Sequence, residues 1–292
     1  MIDLHVHINE DDARYPVDYV VDCAAKQGIS ALGIVVHDYV GHMEQAVLSG
    51  RARGIESFAV TELSGKDGHY LMFFPDFRAA QDDELNSRLL RIYSARRHRL
   101  ELLASELGGD PLPLDVPGYG ELLFRFSMED LERVSCGGRM LSGHLSRLLS
   151  EQAGNAVAGR AAYVLLKGFL SRSSYSRFPE YVDSLLGLDE LARLRDRFGG
   201  VLIEAHPHSF CYGMMRRKIE AGVDGFEVSA RLDRRLNAEI VRCCAQEGLL
   251  VSVGTDNHMW ESEKLGLHPA LEGIVDENLV LEALFGRLGS RA

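Results

Sequence analysis

The chain of 292 residues predicts an α/β fold on a parallel sheet, open or closed into a barrel, with a mostly helical insertion. Three observations carry this. Short apolar runs recur, each about long enough for a strand buried on both faces. Helix-like segments separate most of them, as parallel strands require. The pattern then turns helical between about residues 78 and 198.

Taken in order, the strands are Ile2–Val6, Ala31–Val36, Ser57–Glu62 and Tyr70–Phe74, followed by Val201–Ala205, Gly225–Ser229 and Leu249–Val253. Helices fall at Val17–Gln27 and Met43–Ala52, between the first three. In the middle, Asp82–Glu106 and Asp189–Phe198 carry apolar residues at helical spacing with many Arg and Glu between them. The stretch Gly108–Gly120 holds three of the eight prolines and reads as a loop. The expected organisation is a core from residues 1–77 and 199–292, with 78–198 as a helical insertion or cap.

Composition narrows function. The apolar fraction is 46% and the charged fraction 26%, both globular. The net charge of -11 argues against long nucleic acid as a partner, but not against a small anion held through a cation. No apolar run reaches the ~18 residues of a membrane span. The five cysteines are scattered without a Cys-x-x-Cys, and Met1-Ile2-Asp3-Leu4-His5 resembles no secretory leader. Together these predict a cytoplasmic protein with reduced thiols.

The histidines and acids are distributed with a pattern. His5 and His7 sit two apart at the end of the first strand, so both rings face one side. Asp12 follows in a polar loop. His37 ends the second strand and Glu62 the third, while His69 precedes the fourth. His206 ends Val201–Ala205, and Asp256 and His258 follow the last strand, again two apart. Strand C-termini of parallel α/β folds gather on one face, where sites are built. Imidazole with carboxylate suits Zn, Mn or Fe. Nine such groups exceed the needs of one ion and predict two or three.

These motifs resemble those of the PHP family, the polymerase and histidinol phosphatase domains. Asp3-Leu4-His5-Val6-His7 is similar to the family's opening motif, with Asp12 at the expected offset. Ala31–Asp38 resembles the second motif, ending in His37, and Thr61-Glu62-Leu63-Ser64 the third. Glu204-Ala205-His206-Pro207 resembles the His-Pro motif, and Gly254–His258 the closing one. The match covers residues 1–77 and 199–260. It departs at Val35-Val36, where the family has Thr-Asp, and at Asp11-Asp12-Ala13, where it has Ser-Asp-Gly.

The resemblance implies a distorted (β/α)7 barrel with a trinuclear centre of divalent Mn, Fe or Zn. His5, His7, Glu62 and Asp256 would hold one ion. Glu62, His69 and His206 would hold a second, with Glu62 bridging, and Asp12, His37 and His258 a third. His144, in Ser142-Gly143-His144, is the rival of His69 and otherwise a substrate contact. The implied activity is a metal-dependent phosphoesterase acting on a small phosphorylated substrate, such as a nucleoside 3′,5′-bisphosphate. The alternatives are a 5′-3′ exonuclease on short oligonucleotides and a metal-binding module without turnover. His206, His208 and Asp256 are the candidate proton donors to the leaving group. Arg14, Lys66, His144, His208, Arg216 and Arg217 are the candidate substrate contacts, guanidinium being suited to bidentate phosphate binding. Arg216-Arg217-Lys218 reads equally as a solvated helix face. The Arg96-Arg97-His98-Arg99 run would suit a few nucleotides.

Overall fold

Buried apolar strands dictate the architecture. A computed structural model describes residues 1–8, 15–106, 111–134, 142–172, 178–207, 211–258, 264–266, 271 and 273–291. The strands are β1 (Ile2–His7), β2 (Ala31–Val35), β3 (Glu56–Gly65), β4 (Gly68–Phe74), β5 (Leu112–Val116), β6 (Gly120–Phe124), β7 (Val201–Ala205), β8 (Gly225–Ser229), β9 (Leu250–Gly254) and β10 (Asn257–His258). Eight of them form one sheet in the order β10-β1-β2-β3-β4-β7-β8-β9. The sheet curls into a nearly closed, distorted barrel. At its closing seam Thr255, just after β9, donates from its amide and hydroxyl to Asp3 on β1.

Helices cover the barrel: α1 (Val17–Lys26), α2 (Met43–Ala52), the first turns of α3 (Asp83–Glu106), α8 (Leu188–Phe198), α9 (Tyr212–Glu220), α10 (Arg234–Glu247) and α11 (Glu277–Arg291). Val17, Val20, Val21 and Ala24 of α1 pack on Leu32 and Ile34 of β2. Ile240 and Cys244 of α10 and Val280 and Leu284 of α11 share a cluster with Phe226, Val228 and Val253. Caps fix the ends: Asp233 accepts from the Leu236 amide, and Gly248 closes α10 in the left-handed conformation that glycine tolerates.

The described residues divide into two compact units. One is 1–8, 15–89 and 186–291, holding the barrel; the other lies within 90–185. The second unit pairs β5 with β6 and packs them with α4 (Met128–Val134), α5 (Ser142–Ala153) and α6 (Ala156–Arg172), and it also holds α7 (Pro179–Ser184). Its core is Phe124, Phe126, Leu131, Leu145, Leu148 and Leu149.

Two expectations need correction. The sheet is not wholly parallel, because β4 runs antiparallel to both β3 and β7. Only Lys66 and Asp67 separate β3 from β4, and a parallel crossover needs a dozen residues or more. The middle of the chain is also not only helix and loop. Leu112–Val116 and Gly120–Phe124 form an antiparallel hairpin although Pro113 stands in the first strand. Among the described residues no helix is long and apolar enough to cross a membrane, and the cysteines Cys23, Cys211, Cys243 and Cys244 are free thiols.

Candidate metal centre

The site begins with a bulge. From Asp3 to Val6, β1 advances three residues while β2 advances two, so β1 carries one extra residue at Leu4-His5. Gly33 on β2 permits it, since a Cβ there would lie 2.3 Å from the Leu4 carbonyl oxygen. His5 and His7 then converge, their Nε2 atoms 3.0 Å apart.

Glu62 is the hub. It sits near the middle of β3, fully buried. Its Oε2 lies 3.0 Å from His7 Nε2, 2.9 Å from His37 Nδ1 and 3.6 Å from His5 Nε2. Its Oε1 lies 3.0 Å from His69 Nδ1 and 3.1 Å from His206 Nε2. Asp256 lies beside this group, with Oδ1 3.2 Å from His7 Nε2 and 3.9 Å from His258 Nε2. The His258 ring stacks on His7 at 4.3 Å. The structure thus gathers His5, His7, His37, Glu62, His69, His206, Asp256 and His258 into one cluster. Asp12, Arg14 and His208 lie outside the described residues. His144 belongs to α5, and its side chain lies outside them too.

Turns at the strand ends aim these groups. Asp38, His206 and Asp256 have φ of 52°, 29° and 50°, the left-handed region. Asp and His enter it more readily than most non-glycine residues, at ~1–3 kcal/mol each. Three such residues at one end of one barrel indicate a functional constraint. Asp38 is locked by accepting from the Ser64 amide and hydroxyl at 2.7 and 2.8 Å.

Four supporting residues carry no spacing signal in the sequence. Glu227 is fully buried on β8 and accepts from His5 Nδ1 (2.9 Å) and from the His206 amide (2.8 Å). An acid inside the apolar run Gly225–Ser229 was the one available clue. Asp3 ties β1 to Thr255 and Gly266. Arg231 pairs with Asp256 at 2.9 Å. Lys218, buried on α9, pairs with Glu204 at 2.5 Å. Its neighbours Arg216 and Arg217 are exposed, and Arg216 faces Glu220 at 3.7 Å. Lys66 is exposed in the β3–β4 turn.

Charge follows geometry. Burial works against charge on Glu62, yet His37, His69, His5 and His7 hold it well below the usual carboxylate range. Burial likewise opposes a charged His5, but Glu227 and Glu62 raise its pKa well above that of a free imidazole. Asp256 is held low by His7 and His5 despite its burial. Burial pulls His37 down to about 4, against the pull of Glu62, and lowers His258 well below the ordinary value.

The donor set fits divalent cations. His37 Nδ1, His69 Nδ1 and Glu62 Oε2 are buried and make no hydrogen bond among the described residues, although His37 Nδ1 lies 2.9 Å from Glu62 Oε2 and His69 Nδ1 3.0 Å from Glu62 Oε1. Buried polar atoms left this way are rare, and a cation between them satisfies all three. Four overlapping triads have ligand atoms within 4.8 Å of one another: His5-His206-Asp256, His5-His7-Glu62, His7-Asp256-His258 and His37-Glu62-His69.

Known structures share this fold. A candidate metal-dependent phosphoesterase from Bifidobacterium adolescentis aligns with a TM-score of 0.68 at 18% identity, over 98% of this chain and 95% of its own. An amidohydrolase from Chromobacterium violaceum, solved with sulfate and no metal, aligns with a TM-score of 0.71 at 21% identity, over 99% and 96%. No protein-family model matches the chain, and no curated protein matches it in sequence. At these identities the likeness is one of fold.

Proposed function

We propose that the chain is a metal-dependent hydrolase that releases phosphate from a small phosphorylated substrate, with a nucleoside 3′,5′-bisphosphate as the first compound to test. The observation that carries this is Glu62, one carboxylate shared by five imidazoles at the rim of a barrel. The fold shared with a candidate metal-dependent phosphoesterase supports it.

In this reading His5, His7, Glu62 and Asp256 hold one ion. Glu62, His69 and His206 hold a second, and His37 and His258, with Asp12, a third. Bound divalent ions supply Lewis acidity toward phosphate oxygens and a nucleophile available at neutral pH. The chain's residues do the rest. Glu227 accepts a hydrogen bond from Nδ1–H of His5 and so leaves Nε2 as the ligand atom. Arg231 orients the Asp256 carboxylate and adds positive charge where a phosphate would arrive. Asp256 stays ionised, so it serves as a ligand. A cavity of about 170 Å³ bordered by His69, Glu204, His206 and Pro207 adjoins the cluster, a size that favours a small substrate group.

The test is a hydrolysis panel on Mn-reconstituted protein: a nucleoside 3′,5′-bisphosphate, histidinol phosphate, a 5′-phosphorylated short RNA, an aryl phosphate and an aryl amide. Metal-dependent release of free phosphate from a monoester, lost in Glu62→Gln and His206→Ala, is the expected result. Stepwise release of mononucleotides from RNA would replace the reading with an exonuclease. Cleavage of the amide alone would replace it with an amidohydrolase.

A further inference from the structure

We propose that the helical unit holds a separate anion site, centred on Arg99 of α3, that takes inorganic phosphate or a phosphomonoester. The observation is a guanidinium without a counter-ion. The neighbouring cation on the same helix is neutralised: Arg97 pairs with Glu101 at 2.9 Å and with Glu132 at 3.0 Å. Arg99 has no carboxylate within ion-pair distance among the described residues. Its Nε is buried and donates to nothing there. What faces it is the Tyr181 ring, 4.1 Å from its central carbon.

A second cation lies alongside. Arg96, one turn earlier on the same helix face, is 5% exposed. Burial pulls the pKa of Arg99 down, and the charge of Arg96 adds to the effect. A guanidinium in a poorly hydrated place beside a second cation is stabilised by an anion that reaches it. Arginine's planar fork matches a phosphate oxygen pair.

The space exists. A cavity of about 150 Å³ opens at Arg99, walled by Ala95, Leu102, Phe178, Pro179 and Tyr181. Glu180 is its one acid; it is exposed and forms no ion pair with Arg99. A polar oxyanion would sit at the arginine end, and an apolar or aromatic ester group would lie against the proline and the rings. The site is built within residues 95–181 and owes nothing to the metal centre.

The test uses full-length protein stripped of metal with chelator, so that turnover plays no part. Inorganic phosphate and phenyl phosphate are titrated calorimetrically at fixed ionic strength, with chloride as the control. Wild type should bind one anion per chain. Arg99→Met should weaken binding at least ~tenfold and Arg99→Lys less, since lysine keeps the charge but loses the fork. Arg78→Met, on the barrel surface, should bind as wild type. Tighter binding of phenyl phosphate would assign the site to a phosphomonoester, and equal binding to the free anion. If Arg99→Met does not fold by circular dichroism, Arg99→Lys decides. The proposal is overturned if wild type binds neither probe, if both Arg99 variants bind like wild type, or if binding is lost in His206→Ala instead.

Discussion

At the scale of single residues, Glu227 makes the sharpest claim. It touches no position where a substrate would react, yet it fixes the tautomer of His5 and holds the backbone that presents His206. Partners of this kind typically change metal affinity 10–100-fold. Glu227→Gln should therefore weaken Mn binding by about that factor. Circular dichroism should stay unchanged, and excess metal should largely restore turnover. A variant with wild-type affinity would remove Glu227 from the site. The clustered histidines were legible because spacing of two and position at strand ends are visible in one dimension. Glu227, Asp3 and Arg231 were not, because their roles come from strands that meet only in the closed barrel. The buried Lys218 shows the same limit: three basic residues in a row look alike until the helix is turned against the sheet.

At the scale of elements, close approach between strands positions the site. Gly254, at the end of β9, lies so near β1 and β8 that a Cβ would stand 2.3 Å from His5 Cβ and 2.4 Å from Glu227 Oε1. Gly254→Ala should cost ~1–3 kcal/mol by overpacking and lower metal content with it. Gly286, within helix α11, has open space around it, and Gly286→Ala should raise stability by ~0.5–1 kcal/mol with activity unchanged. Thermal melts and metal analysis of the pair would separate the two effects. Most barrel strands were legible to within a few residues, since a short apolar run between helices has few other readings. The direction of β4 was hidden in its two-residue turn, and the hairpin β5–β6 behind Pro113 and a weakly apolar first strand.

At the scale of the whole molecule, stability against acid should depend on a histidine outside the gathered cluster. His42 precedes α2 and donates from Nε2 to the carbonyls of Ile34 (2.9 Å) and Val60 (3.1 Å), joining β2 to β3. Burial lowers its pKa to about 4. The folded state keeps it neutral, while the unfolded chain takes up a proton near pH 6.5. The stability it contributes is thus complete above pH 6.5 and declines as the pH falls toward 4. From pH 7 to pH 5 the loss is about 2 kcal/mol. Denaturant titrations at those two values should show it, and His42→Gln, which keeps a donor, should flatten the difference. An equal slope in the variant would assign the acid sensitivity elsewhere.

The left-handed turns at Asp38, His206 and Asp256 also bear on how the chain could change over generations. A population screened for folding alone would be expected to drift toward glycine and asparagine at these three codons, since either relieves the backbone. Screening for turnover should hold histidine and aspartate at 206 and 256 against that pressure. The set of sequences that fold well and the set that work would overlap least at these turns.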